Sequence, residues 1–256
     1  MNNDPRLIAF KQLLDIMDDL RAKCPWDMKQ NFQSLRHLTI EETYELTDAI
    51  LQNDLKSIEE EVGDVLLHLV FYAKLGSETG QFDIASILER LNAKLIHRHP
   101  HIYGDVTVAD EEEVRRNWEK LKLKEGKKSV LEGVPRGLPA MIKAIRLQEK
   151  TKQVGFEWEN TSQVMDKVNE ELGEWKRAIE SKDKEAIEDE LGDVFFSLIN
   201  YARFEKIDPE AALEKVNQKF KKRFEYIEAN APKPLEEMKL EEMEALWQAA
   251  KINLRK

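Results

Sequence analysis

The sequence predicts an all-α protein, a tandem repeat of two helical bundles joined by a Gly/Pro-containing linker. Three observations carry this prediction. Apolar residues recur three and four positions apart, the spacing of one helix face. Only 10 Gly and 8 Pro interrupt the 256 residues, so long uninterrupted helices are possible. Finally, two acidic motifs each occur twice. Glu41-Glu42-Thr43-Tyr44-Glu45 returns as Glu170-Glu171-Leu172-Gly173-Glu174, and Glu61-Val62-Gly63-Asp64 returns as Glu190-Leu191-Gly192-Asp193. Both returns lie 129 positions later, and in both copies 16 positions separate the last Glu of the first motif from the Glu of the second. A shared gap of this kind indicates a duplicated domain.

The elements follow in order. Asp4 to Lys23 reads as an amphipathic helix with Leu7, Phe10, Leu13, Leu14, Met17 and Leu20 on one face. Cys24-Pro25-Trp26-Asp27 ends it, because Pro disfavours helix in the residue before it. The first acidic helix then runs to about Asn53, and Asp54 and its counterpart Asp183 suit the N-cap of the next helix in each copy. That next helix carries Val62, Val65, Leu66, Leu69, Val70 and Ala73, a three-four stripe. Short connections between such helices imply antiparallel neighbours. The repeat continues beyond the acids: Val65, Leu66, Leu69, Tyr72 and Ala73 match Val194, Phe195, Leu198, Tyr201 and Ala202. Asn92, Lys94 and Arg98 match Asn217, Lys219 and Arg223 at an offset of 125, and Trp118 matches Trp247 at 129. Between the copies, residues 126–139 hold five of the chain's 18 Gly and Pro, which makes this stretch the expected linker. The expected organisation is therefore an N-terminal domain over 1–125, the linker over 126–139 and a C-terminal domain over 140–256.

Composition narrows the partners. A net charge of −10 repels nucleic acid and anionic membranes, so neither is expected as a partner. Cys24 is the only cysteine, which excludes an intrachain disulfide and suits a reducing compartment. The opening residues Met1-Asn2-Asn3-Asp4-Pro5 lack the features of a signal peptide, and no run approaches the ~18 apolar residues of a membrane span. The expectation is a cytoplasmic protein.

The repeated acids carry the chemistry. Glu170, Glu171 and Glu174 fall within one angular sector of a helix, and Glu190 and Asp193, three apart, do the same on the next helix. If those helices are antiparallel neighbours, five acids converge. Like charges so placed destabilise the helix, and desolvating them together costs more. A bound divalent cation removes the conflict, and all-oxygen ligands suit Mg²⁺ or Mn²⁺. A solvated acidic helix face is the simpler alternative, but it needs no fixed register between motifs. A di-iron carboxylate bundle requires Glu-x-x-His pairs, and none of His37, His68, His97, His99 or His101 has Glu three positions earlier. His97-Arg98-His99-Pro100-His101 offers a zinc alternative or a turn of exposed imidazoles. Lys219 and Arg223 share a helix face, and Trp247 follows on the last helix. They read either as a basic stripe with a core tryptophan, or as cations and an aromatic ring for a nucleotide.

Taken together, these residues resemble the MazG nucleoside triphosphate pyrophosphohydrolases. Besides the acidic motifs, the resemblance rests on Cys24-Pro25-Trp26-Asp27, Arg98-His99-Pro100-His101, Leu131-Glu132-Gly133-Val134-Pro135 and Val154-Gly155-Phe156-Glu157-Trp158, and it spans essentially the whole chain. The resemblance implies cleavage of nucleoside triphosphates between the α and β phosphates, giving monophosphate and pyrophosphate. It also implies a requirement for Mg²⁺, a homodimer of helical bundles, and catalysis mainly in the C-terminal copy. On this resemblance the metal ligands are Glu171, Glu174, Glu190 and Asp193, and Lys167, Lys219, Arg223 and Trp247 contact the nucleotide. Glu170, with Glu171, is assigned to catalysis, Glu170 holding or deprotonating the attacking water. Glu41, Glu42, Glu45, Glu61 and Asp64 keep a possible second site in the N-terminal copy. Two rivals stand beside this reading. A phosphoribosyl-ATP pyrophosphohydrolase uses similar acids without the tandem length, and a non-catalytic helical adaptor would not need intact acids in both halves.

Overall fold

The structure is a computed structural model and describes residues 3–111, 113, 114, 117, 118, 121 and 129–254. The chain divides into two compact units, Met1–Ala109 and Asp110–Lys256. All regular elements among the described residues are helical, as the sequence predicts. Of the expected linker, residues 126–128 lie outside the described residues. The rest runs through turns, with Gly133 at φ +88°.

In the first unit, α1 (Pro5–Lys23) starts where Asp4 caps the backbone N–H of Arg6 and Pro5 occupies the first turn. It ends at Cys24, which is extended as the residue before a Pro tends to be. Helix α2 (Phe32–Gln52) begins at a capping box between Asn31 and Ser34. Asn53 turns the chain at φ 55°, and Asp54 caps α3 (Leu55–Glu78). With two connecting residues, α2 and α3 pack as an antiparallel pair. Met17, Leu35, Val70, Phe71 and Leu75 are buried together, flanked by Phe10, Leu13, Leu14, Leu38, Leu67 and Tyr72. Leu7 and Leu20 of the predicted α1 face stay exposed, because the stripe is wider than the contact α1 makes with α3. Helices α4 (Ile84–Arg98) and α5 (Pro100–Tyr103) follow. Gly76 allows a close approach here, since a Cβ on it would fall 2.4 Å from the Phe82 ring.

The second unit repeats this plan. After α6 (Ala140–Lys152), Asn160 caps α7 (Thr161–Ser181). Lys182 turns the chain at φ 59°, and Asp183 caps α8 (Lys184–Phe204). The pair α7 and α8 corresponds to α2 and α3, with Val164, Val168, Ala178, Val194 and Ile199 buried. Helices α9 (Pro209–Asn230) and α10 (Leu240–Asn253) pack on each other, and α9 also touches α6 and α8.

Each unit ties down the segment before its acidic helix with an arginine. In the first, Arg21 of α1 pairs with Glu78 at 2.7 Å and donates to the carbonyls of Asp27 and Gln30. That pairing holds the Glu78 carboxyl below its usual range. In the second, Arg203 of α8 donates from two nitrogens to Glu157, both at 2.7 Å, with both side chains mostly buried. Paired forks of this kind are geometrically demanding and hold a loop in place.

Candidate active site

Helical rotation and the antiparallel pairing bring the acids together. On α7 and α8, Glu171, Glu174 and Glu190 place carboxylate oxygens within 4.8 Å of one another, and Glu42, Glu45 and Glu61 do the same on α2 and α3. Burial raises the Glu190 carboxyl above its ordinary pKa, and the negative charges of Glu174, Asp193 and Glu171 push it the same way. In the first unit Glu61 is raised by burial and by Glu45, Glu42 and Asp64, and Glu42 by burial and by Asp64, Glu45 and Glu41. Three of the five expected acids in each unit meet across neighbouring helices; Glu41 and Asp64, and Glu170 and Asp193, lie outside these groups.

Around these acids the two units differ. Lys167, one turn before Glu171, reaches Glu171 at 2.8 Å and Glu170 at 2.9 Å. These two hydrogen bonds raise its pKa well above the lysine range. Glu171 is buried, while Glu170 stands at the more exposed side of Lys167 and outside the three-acid group. Beside Glu171 lies a cavity of about 570 Å³, lined among others by Lys167, Glu171, Asp193, Asn200, Phe156 and Trp158. Leu131, from the expected linker, also lines it, as do Gln148 and Phe196.

The duplicated positions of the first unit are packed instead. Leu38 stands where Lys167 is, His68 where Ser197 is, and Phe71 where Asn200 is. Leu38 joins the core, and Phe71 and His68 are buried. Desolvation lowers the His68 pKa, against a smaller opposing pull from Asp64.

The basic and aromatic residues form a group of their own. Arg223 of α9 lies 5.4 Å from the ring centroid of Trp247 on α10, and Phe220 packs on the same ring at 5.2 Å. Lys219 is exposed, and none of Lys219, Arg223 and Trp247 lines the cavity. Sequence reasoning brought Arg223 and Trp247 together but did not find Gln148, Asn200, Phe196 or Leu131. The available signal was the departure from the repeat: polar Asn200 and Lys167 replace Phe71 and Leu38 on helices otherwise matched.

An all-helical fold with duplicated carboxylate groups on paired helices defines a class of acid-cluster bundles. The family model described as the MazG nucleotide pyrophosphohydrolase domain matches residues 30–103 and 159–227, which spans both acidic helix pairs. The chain is 41% identical over 252 residues to the Thermotoga maritima nucleoside triphosphate pyrophosphohydrolase/pyrophosphatase MazG, covering 95% of this chain and 96% of that protein. It is 38% identical over 260 residues to the Escherichia coli K12 nucleoside triphosphate pyrophosphohydrolase, covering 98% of each. It also matches YabN of Bacillus subtilis, 42% identical over 251 residues, which is 94% of this chain and 51% of that protein. The chain belongs to the MazG nucleotide pyrophosphohydrolase family.

Proposed function

We propose that this chain hydrolyses nucleoside triphosphates to the monophosphate and pyrophosphate, using a divalent cation in its second unit. The observation that carries this reading is the cavity of nucleotide size beside the three-acid group of α7 and α8. The relatives named as nucleoside triphosphate pyrophosphohydrolases support the same reaction.

The donor set fits a hard cation. Glu171, Glu174, Glu190 and Asp193 offer only carboxylate oxygens, and burial, then the charges of Glu174, Asp193 and Glu171, raise the Glu190 pKa. In the first unit a buried oxygen of Glu61 has no hydrogen-bond partner among the described residues, so the same donor chemistry is duplicated there. Mg²⁺ suits such ligands, and Mn²⁺ is the expected substitute. Held there, the cation supplies charge neutralisation for the phosphates and lowers the pKa of a water.

The chain's own residues do the rest. Lys167, already paired with Glu170 and Glu171, presents an ammonium to the phosphates at the cavity wall. Glu170, next to Glu171 in the chain, is the residue proposed to hold the attacking water and accept its proton. Lys219, Arg223 and Trp247 lie off the cavity, and their proposed role is to contact the part of the nucleotide that projects from it.

The proposed assembly is a homodimer in the cytosol. Phe195 and Leu198 are 56% and 44% exposed on α8, and their counterparts Leu66 and Leu69 are 39% and 52% exposed on α3. A repeated exposed apolar face on the site-bearing helices suits a second copy of the chain. Light scattering should then give twice the 29.9 kDa chain mass.

Phosphorus NMR of the protein with mixed nucleotides and Mg²⁺ tests the reaction. Monophosphate and pyrophosphate should appear together, and EDTA should stop both. Orthophosphate as the primary product would refute the proposal.

A further inference from the structure

We infer that Gln148 reads the base edge of the nucleotide, as the hydrogen-bond acceptor at the inner wall of the α6–α8 cavity. The inference rests on the hydrolase reading above and adds a specificity-determining residue to it.

Gln148 sits on α6, is 5% exposed, and lines the same cavity as Lys167, Glu171 and Asp193. Its Nε2 donates to the Phe196 carbonyl at 2.9 Å. That bond fixes the amide, because a flipped side chain would set oxygen against oxygen. The Oε1 is left buried and without a partner. A buried unpaired acceptor on a cavity wall is costly, and a ligand N–H removes the cost.

Asn200 completes the pair. Its Oδ1 accepts from Arg203 Nη2 at 2.7 Å and from Arg203 Nε at 3.1 Å. Arg203 is itself locked to Glu157. With its oxygen committed, Asn200 has only its amide N–H groups to offer the cavity it lines. The cavity lining thus includes one fixed acceptor and one fixed donor together with the apolar surfaces of Phe156, Trp158 and Phe196. These groups complement a flat aromatic heterocycle that carries an N–H and an acceptor on one edge, as the pairing edge of a nucleobase does. The reacting phosphates lie toward Glu171 and Asp193, and the base points to Gln148. Every common base carries an N–H on that edge, so the device tolerates many bases and rejects one that lacks the donor.

The test compares ATP with purine riboside triphosphate, which lacks the 6-amino group and keeps the ring nitrogens. Pyrophosphate release is followed with Mg²⁺ for the wild-type chain and for Gln148→Leu. Wild type should use the analogue with kcat/KM about tenfold lower. Gln148→Leu should lower kcat/KM for ATP to the analogue's level and leave the analogue's value within about twofold. Equal use of both triphosphates by wild type overturns the inference, and this comparison needs no variant if Gln148→Leu fails to fold. Retained discrimination in folded Gln148→Leu overturns it as well. Pyrophosphate from neither triphosphate defeats the hydrolase reading, and this inference with it.

Discussion

Position 200 holds asparagine where the duplicated position 71 holds phenylalanine, and position 167 holds lysine where position 38 holds leucine. The two units share helix pairing, caps and acid spacing, yet these exchanges send them different ways. In the first unit Phe71 and Leu38 pack into a core with Met17 and Leu35. In the second, the same places open into a cavity with Lys167 bonded to Glu171. The intact acids thus sit in two different surroundings. A cavity beside the acids, and Lys167 bonded to Glu170 and Glu171, distinguish the second unit.

The largest expected effect breaks or keeps this asymmetry directly. Glu171→Gln should cut pyrophosphate release by more than the ~10–100-fold that loss of an outer-shell partner costs a metal site. Glu42→Gln, its counterpart, should leave the rate within about threefold. Equal losses would mean two working sites.

Exchanging the packing residues comes next. Phe71→Ala should cost about 3–5 kcal/mol of stability, since a buried ring leaves a cavity behind. Asn200→Phe places the first unit's residue in the second unit's cavity, and should raise KM for the triphosphate at least tenfold while the fold survives. Chemical denaturation and steady-state kinetics read the two effects. A marginal stability change for Phe71→Ala would show that the first unit is not closed by its core.

A smaller effect concerns charge. The folded-state pKa of Glu190 is raised, so its ionised form costs native stability above that pKa. The cost fades as pH falls from the folded-state pKa toward the unfolded value of about 4.3, and is gone below it. In EDTA, Glu190→Gln should therefore melt higher than wild type at pH 8, the gap closing toward pH 4. Added Mg²⁺ should raise the wild-type Tm and shift the variant less. A variant that melts lower at pH 8 would contradict the charge-crowding account.

The smallest effect lies in the helix-pair turn. Both units need a left-handed residue there, Asn53 at φ 55° and Lys182 at φ 59°. Asn tolerates this region better than Lys. Lys182→Asn should stabilise the chain by a fraction of the ~1–2 kcal/mol that the left-handed region costs an ordinary residue, and no gain in a denaturant melt would show that the second unit's turn is already relaxed.

The helical class, the duplication and the pairing of the acidic helices are legible along the chain. Those follow from short-range rules: period 3.6 along a helix, Asp54 and Asp183 as caps, and a two-residue turn that fixes which helix faces which. Once α7 and α8 are antiparallel, Glu171, Glu174 and Glu190 must meet. The cavity beside the second unit's acids, by contrast, is set by packing between distant segments. That depends on how Gln148 of α6, Leu131 and the Phe156–Trp158 segment close over α7 and α8. It also depends on the Arg203–Glu157 fork across 46 positions. Close-packed side-chain volume is a sum over several elements at once, and no local pattern along the chain encodes that sum.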